Sequence, residues 1–246
     1  MEIRIGTSGW HYKHWLGPFY PEKLPASKML AWYAGQFDTV ELNTTFYRLP
    51  PEPAVDSWRD DTSHGFLFAA KASRFITHMK KLKDPEQSLE RYFERVDRLR
   101  GKLGPIVFQL PPNWQVDLYR FDEFLKHLPR RHRYAFEFRN ETWNDDAVLS
   151  LMREHRVAYC IFDLAGYQSP FTVTADFVYV RLHGPDGKYQ GCYSDAELND
   201  WASRMQEWGR SGLSVYVYFD NDDSGYAPMN ALSLRRKVEM ARAQYS

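Results

Sequence analysis

Carboxylate and imidazole side chains stand near the ends of the β-strands that this sequence predicts. Glu41, Glu137 and Asp163 could move protons, and His183 is the side chain type best suited to act as a base near neutral pH. We predict that these residues are catalytic. Hydrogen-bonding groups and aromatic rings at similar positions predict ligand contacts by Trp10, Tyr12, Asn43, Tyr47, Lys71, His78, Gln109, Arg139, Trp143, Arg181 and Asn221.

Eight predicted strands bring these residues to a common level. The strands cover residues 2–7, 38–43, 65–71, 105–110, 133–139, 157–163, 176–183 and 213–221. Helical patterns alternate with most of them, which predicts βαβ units and a parallel sheet. The sequence therefore predicts an α/β fold, a single (β/α)8 TIM-like barrel domain over residues 1–246, in which active sites form at the C-terminal strand ends. About a dozen residues separate strands six and seven, too few for a full crossover helix, so the barrel is expected to be irregular there.

The fifth predicted strand shows most clearly how a carboxylate would reach a ligand. Its alternation places Tyr134, Phe136 and Phe138 on one face and Glu137 with Arg139 on the other. The aromatic face should contact helices, and the polar face should face the barrel interior. Glu137 is the best candidate for proton transfer. The alternative is an internal ion pair between Glu137 and Arg139 that has no catalytic role.

Cationic side chains at the strand ends favour an anionic ligand. Arg139 and Arg181 could bind phosphate or carboxylate through paired N–H groups, and Lys71 opens a basic segment that extends to residue 83. This segment could steer an anion or could simply be a solvated loop. We predict that the partner is a small anionic ligand with a stackable or hydroxylated ring. Because the same cations would compete with a metal ion for the carboxylates, no cofactor is predicted, and a divalent metal is kept as the alternative.

Composition excludes several other classes of protein. The 246 residues are 43% hydrophobic and 26% charged with a formal net charge of zero, which is typical of a soluble globular protein and does not favour wholesale nucleic-acid binding. The two cysteines, Cys160 and Cys192, have no metal-ligand spacing, and no run of apolar residues is long enough to span a bilayer. We therefore expect a cytoplasmic protein without a membrane partner.

Three functions remain compatible with these residues. The first is an enzyme that uses carboxylate and histidine acid–base chemistry on a small polyhydroxylated or phosphorylated anion. The second is a metal-dependent phosphodiester hydrolase of the barrel endonuclease type, and only this alternative implies nucleic acid as a partner. The third is a ligand-binding or interaction protein without turnover. No phosphate-binding loop, serine-nucleophile motif or dinucleotide glycine motif is present in the sequence.

Several short motifs together resemble a known family. They include GTSGW at 6–10, VELN at 40–43, FQLPP at 108–112, EFR at 137–139, VYVRLHG at 178–184 and VYFDN at 217–221. On these segments, which extend over nearly the whole chain, the protein resembles the domain-of-unknown-function family 72, the YecE-like proteins. The resemblance implies a TIM-like barrel. It implies no activity, because none is established for the family.

Overall fold

The computed structural model describes residues 2–243 as alternating strands and helices. The strands are β1 (Ile3–Thr7), β2 (Thr39–Leu42), β3 (Leu67–Lys71), β4 (Leu103–Gln109), β5 (Tyr134–Glu137), β6 (Ala158–Leu164), β7 (Tyr167–Gln168), β8 (Phe177–Leu182) and β9 (Ser214–Phe219). The helices are α1 (Met29–Ala34), α2 (Thr44–Tyr47), α3 (Glu52–Asp60), α4 (Pro85–Val96), α5 (Leu118–Lys126), α6 (Asp146–Glu154), α7 (Asp195–Arg210) and α8 (Tyr226–Ala243). The fold class is that of a TIM-like (β/α)8 barrel, as predicted.

The described part of the chain divides into two compact units. Unit 1 comprises residues 2–40, 161–171 and 177–243, and unit 2 comprises residues 41–160 and 172–176. The boundary falls within β6, whose first residues belong to unit 2 and whose last residues belong to unit 1. The prediction of one domain over residues 1–246 stays a prediction.

Unit 1 contains a parallel sheet in which β9 lies between β1 and β8. Thr7 of β1 and Leu182 of β8 are both paired with Phe219 of β9, so the three strands end at the same level. β7 pairs with the end of β6 in an antiparallel hairpin. This hairpin stands where a helix would connect β6 to β8 in a regular barrel, which is the irregularity that the short connection predicted.

Unit 2 contains the parallel pairs β3–β4 and β4–β5, and the start of β6 pairs with β5. The predicted alternation of β5 is confirmed. Phe136 contacts Phe121 and Phe124 of α5, whereas Glu137 lies in register with Gln109 of β4. The aromatic face of β5 therefore packs on a helix.

Local signals in the sequence set the ends of several elements. Ser194 and Glu197 form a complete capping box at the start of α7. Gly184, two residues after the end of β8, has φ of 109° and lies so close to the main chain of Gln190 that a side chain would collide with it. Glycine is thus required where the chain turns away from His183. None of the helices within residues 2–243 combines the length and apolar character needed to cross a membrane.

Candidate functional site

A group of buried polar side chains lies at the C-terminal ends of β6, β8 and β9 in unit 1. We call it the histidine cluster; its members are Asp163, Arg181, His183, Tyr193 and Asp220. Arg181 and His183 have no exposed surface, and the other three are buried as well. Because buried charged groups are costly unless they are paired, each member's partners are informative.

His183 is oriented by Asp220 and Arg181. Its Nδ1 lies 3.0 Å from Oδ2 of Asp220, and its Nε2 lies 3.4 Å from a guanidinium nitrogen of Arg181. Arginine can only donate, so the contact requires Nε2 to accept and Nδ1 to carry the proton that is donated to Asp220. Arg181 also donates to Asp220 at 3.2 Å. In this arrangement Nδ1 faces the carboxylate of Asp220, and Nε2 accepts a long hydrogen bond from Arg181.

Asp163 supplies a second titratable group in the cluster. The Tyr193 hydroxyl donates to its Oδ1 and Gln168 donates to its Oδ2, each at 3.1 Å. Burial raises the pKa of Asp163 above its ordinary value, although the two donors and the nearby His183 act in the opposite direction. Gly184 N–H donates to the Tyr193 hydroxyl at 3.0 Å, which fixes the tyrosine as donor to Asp163.

The other predicted ligand-binding residues of unit 1 are not members of the histidine cluster. Asn221 follows β9 and donates through Nδ2 to the carbonyl of Gly191 at 2.9 Å and to Oδ1 of Asn230 at 2.8 Å. Its own Oδ1 is buried and has no hydrogen-bond partner among residues 2–243. Tyr12 donates to the carbonyl of Ser8 at 2.7 Å, and Trp10 is half-buried. Both aromatic residues thus lie in the loop that follows β1.

Unit 2 holds the other predicted carboxylates. Glu41 and Glu137 have no exposed surface. Arg139 donates a short ionic hydrogen bond to Glu137, and Cys160 Sγ lies 4.0 Å from the same carboxylate. The ion pair considered from the sequence is therefore present. Its existence does not decide whether Glu137 also has a catalytic role.

Lys71, at the end of β3, is almost fully buried against an aromatic ring. Its Nζ lies 4.3 Å from the centroid of Phe46, a cation–π distance. His78 packs its ring edge-on to Phe46 at 5.1 Å and contacts the Thr77 hydroxyl at 2.9 Å. Burial lowers the pKa of His78, and the positive charges of Lys71 and Arg74 lower it further. This imidazole is therefore held neutral beside a cation.

Three further predicted residues of unit 2 differ in their surroundings. Asn43 has a buried Oδ1 without a hydrogen-bond partner in the described part of the chain, as Asn221 has in unit 1. Tyr47 is 66% exposed, as a ligand-stacking ring requires. Trp143 is completely buried, stacks on Phe138 at 5.0 Å and donates to the carbonyl of Trp114. Its predicted ligand contact is not favoured by this burial, because no face of the ring is open.

Sequence reasoning did not identify all members of the histidine cluster. Tyr193, a member of the cluster, and Gln168, which donates to Asp163, were missed because both lie outside the main strands and reach Asp163 only through folding. Asp220 stands next to the predicted Asn221, so its position at a strand end was a usable signal. The expectation that the predicted residues share one pocket stays a prediction.

Metal binding requires several ligands at one point. Within residues 2–243, no group of three or more histidine, cysteine, aspartate or glutamate side chains is arranged to hold a metal ion. Arg181 instead occupies the space beside Asp220 and His183, and Arg139 occupies that beside Glu137. Asp220 and Glu137 are therefore each in contact with a cationic side chain.

Comparison with known proteins identifies relatives over the full length of the chain. The protein-of-unknown-function family DUF72 matches residues 4–245. The UPF0759 protein YunF of Bacillus subtilis is 27% identical over 99% of this chain and 96% of its own length. The UPF0759 protein YecE of Escherichia coli is 30% identical over a segment covering 56% of this chain and 48% of YecE.

Solved structures agree with this assignment. A DUF72 family protein from Thermotoga maritima has a TM-score of 0.89 and 26% identity, covering 97% of this chain and 100% of that protein. A DUF72 family protein from Enterococcus faecalis, at 21% identity, has a TM-score of 0.79 and covers 96% of this chain and 95% of that protein, which supports the fold. The chain therefore belongs to the DUF72 family of proteins of unknown function.

Proposed function

We propose that this protein is an enzyme that transfers protons on a small anionic substrate, polyhydroxylated or phosphorylated, with His183 as the base. The observation that carries the proposal is the buried contact between His183 and Asp220. A carboxylate at Nδ1 orients the ring and stabilises the imidazolium that forms when Nε2 takes a proton. Arg181 donates a long hydrogen bond of 3.4 Å to Nε2, the atom proposed to take the proton.

Asp163 is the proposed proton donor. Its raised pKa makes it a better acid near neutral pH than an ordinary aspartate. Asp163 would donate its proton to the substrate oxygen that departs with the leaving group or carries negative charge. His183 would accept a proton from the reacting hydroxyl group or carbon atom of the substrate. After product release, His183 would lose its proton to solvent and Asp163 would take up a proton from solvent. Glu41 and Glu137 are kept as further candidates for proton transfer.

Ligand capture is supported by unsatisfied acceptors and buried cations. Asn43 and Asn221 each hold a buried amide oxygen without a partner in residues 2–243, and such atoms in a folded protein call for an explanation. Substrate hydroxyl groups could supply the missing donors. Within unit 2, the largely buried cations Lys71 and Arg139 favour binding of an anionic group.

The test begins with identification of a ligand. A thermal-shift screen with sugar phosphates, sugar acids and nucleotides should find an anionic compound that raises the melting temperature. With that compound, His183→Gln should lower kcat roughly 10²- to 10⁴-fold, the range for loss of a general base. The matched control is His155→Gln, because His155 also pairs with an aspartate, Asp122 at 3.0 Å, but lies at the end of α6. That variant should keep full activity.

Two outcomes would contradict the proposal. Equal activity in His183→Gln and wild type would remove the proposed base. Failure of every anionic compound to stabilise the protein would favour an interaction role without turnover. Stoichiometric zinc or manganese in the purified protein, lost in His183→Ala, would instead favour the metal-dependent hydrolase.

A further inference from the structure

A pocket of about 360 Å³ lies in unit 2 between α4 and the segment that follows β3. Its volume is within the range of clefts that bind small molecules. None of the predicted catalytic residues lines it. The side chains that matter for its chemistry are Phe75, Lys80, Gln87, Ser88, Arg91 and Tyr92.

One wall of the pocket is a single face of α4. Arg91 is three residues from Ser88 and four from Gln87, spacings that make it a neighbour of each on the helix surface, and all three residues line the pocket. Asp84, which precedes the helix, makes no side-chain hydrogen bond to the first-turn amides. The positive end of the helix therefore lies uncapped by a side chain at this wall, which favours an anion.

Two cations are available beside this wall. Arg91 is exposed and forms no ion pair with any residue from 2 to 243. Lys80 makes only a 3.5 Å ion pair with Asp84, whose side chain is 83% exposed. An exposed pair of this kind contributes little stability, so a ligand anion could displace Asp84 from Lys80. Arginine can hold phosphate or carboxylate oxygens through two parallel N–H groups.

The opposite wall offers an aromatic surface. Phe75 is 44% exposed although most aromatic side chains of unit 2 are buried. It begins a π-helical turn (Phe75–Met79), an uncommon conformation that often occurs at functional sites. Lys81, Leu82 and Asp84, which follow this turn, all have positive φ. Such backbone conformations are costly for residues other than glycine and persist where the surrounding structure requires them.

A buried hydroxyl adds a further polar group. Tyr92 lines the pocket with only 1% of its surface exposed, and its Oη has no hydrogen-bond partner within residues 2–243. The Thr45 hydroxyl directs its single proton towards the carbonyls of Leu42 and Lys71. Tyr92 thus adds a buried hydroxyl group to the lining of the pocket.

We propose that this pocket binds a small molecule in which a phosphate or carboxylate group is attached to an aromatic ring. Arg91 and Lys80 hold the anionic group near the start of α4, and Phe75 contacts the ring. The site is independent of the histidine cluster, so its occupant is a second ligand of the protein.

Calorimetric titration of the full-length protein tests the proposal with three probes: phenyl phosphate, benzoate and inorganic phosphate. Phenyl phosphate should bind more tightly than inorganic phosphate, because only the former offers a ring to Phe75. Comparison with benzoate distinguishes a preference for phosphate from one for carboxylate. Arg91→Ala should weaken phenyl phosphate binding roughly 10- to 150-fold. Phe75→Ala should weaken it roughly 2- to 10-fold and leave inorganic phosphate unaffected.

The matched control is Arg153→Ala, since Arg153 is likewise an exposed arginine on a helix, in α6. This variant should bind phenyl phosphate as wild type does. Arg139→Ala and His183→Gln, which change residues of the proposed active site, should also leave phenyl phosphate binding unchanged. Equal affinity in wild type and Arg91→Ala would overturn the proposal, as would an absence of binding for all three probes. Binding that is lost in Arg139→Ala but kept in Arg91→Ala would assign the probe to the proposed active site and also overturn the second site. Circular dichroism checks that each variant is folded.

Discussion

Unit 1 and unit 2 both bury charged groups at their strand ends, but these groups make contacts of different kinds. In unit 1, His183 and Asp163 each have directional hydrogen-bond partners that fix which atom donates and which accepts. In unit 2, Glu137 is in an ion pair with Arg139, and Lys71 lies against the face of Phe46. The first arrangement suits movement of a proton, and the second suits retention of a charge.

Burial alone does not identify a catalytic group. Glu137 and His183 are equally inaccessible, with no exposed surface. They differ in the contacts of the neighbouring side chains: His183 Nε2 accepts a long hydrogen bond from Arg181, whereas Glu137 accepts a short ionic hydrogen bond from Arg139. The following predictions test whether this difference is functional.

Removal of Asp220 should have the largest effect in unit 1. Asp220→Ala leaves the buried Arg181 without its carboxylate partner and His183 without its orienting acceptor. We expect a loss of about 3 to 5 kcal/mol in the free energy of unfolding, measured by urea denaturation. Asp220→Asn, which keeps an acceptor oxygen, should lose less. A loss below about 1 kcal/mol in the alanine variant would mean that these contacts do not hold the histidine cluster.

Removal of Trp143 should show that the aromatic support of unit 2 is structural. Trp143→Ala creates a cavity beside Phe138 and Trp114, and should lower the free energy of unfolding by about 3 to 5 kcal/mol. Tyr47→Ala, at a ring that is 66% exposed, should change it by less than about 0.5 kcal/mol. Both values come from urea denaturation. If the two variants were equally stable, the distinction between a packing ring and a ligand-facing ring would be wrong.

Substitutions of Arg139 and Glu137 test whether these side chains of unit 2 bind an anionic ligand or take part in proton transfer. With an anionic ligand from the thermal-shift screen, Arg139→Ala should weaken binding by about 1.5 to 3 kcal/mol, the range for a charge-assisted hydrogen bond. Glu137→Gln should bind that ligand nearly as wild type does. If this variant also abolishes turnover, Glu137 takes part in proton transfer, and the contrast between the two units must be revised. Unchanged binding in Arg139→Ala would contradict a capture role.

Asp222, in the loop after β9, should give the smallest effect, a change in pH dependence. Its Oδ1 accepts from Trp15 Nε1 at 2.5 Å and lies 3.3 Å from His14 Nε2. Burial raises the pKa of Asp222 to about 6 from 3.8; His14 and the Trp15 hydrogen bond lower it, and the Asp220 charge raises it. The folded protein therefore binds this proton more tightly, and its stabilising contribution, full below pH 3.8, is lost as pH rises through about 6.

Asp222→Asn should remove this dependence. Between pH 3.8 and about 6, the free energy of unfolding of wild type should fall relative to that of the variant. Urea denaturation of both proteins at these two pH values would measure the difference. Asp223→Asn, at the exposed neighbouring residue, is the control and should follow wild type. Parallel pH profiles for wild type and Asp222→Asn would contradict the assignment to Asp222.

Much of the architecture was predictable because it depends on local periodicity. The alternation in residues 133–139 predicted the helix-facing side of β5, and contacts of Phe136 with α5 confirm it. The capping box of Ser194 and Glu197 marked the start of α7. The candidate residues at strand ends followed from the same pattern, since a strand's end can be recognised in sequence even when its neighbours cannot.

The tertiary structure decided which side chains pair, because those contacts join residues far apart in the chain. Tyr193 reaches Asp163 across 30 positions, and Trp15 reaches Asp222 across 207. The burial of Trp143, which the sequence placed on a ligand-binding loop, likewise depends on packing against Trp114. The sequence by itself determined the order of strands and helices and the residue types at the strand ends. Their hydrogen-bond partners and exposure were decided only by folding, since sequence spacing does not specify distances between separate elements.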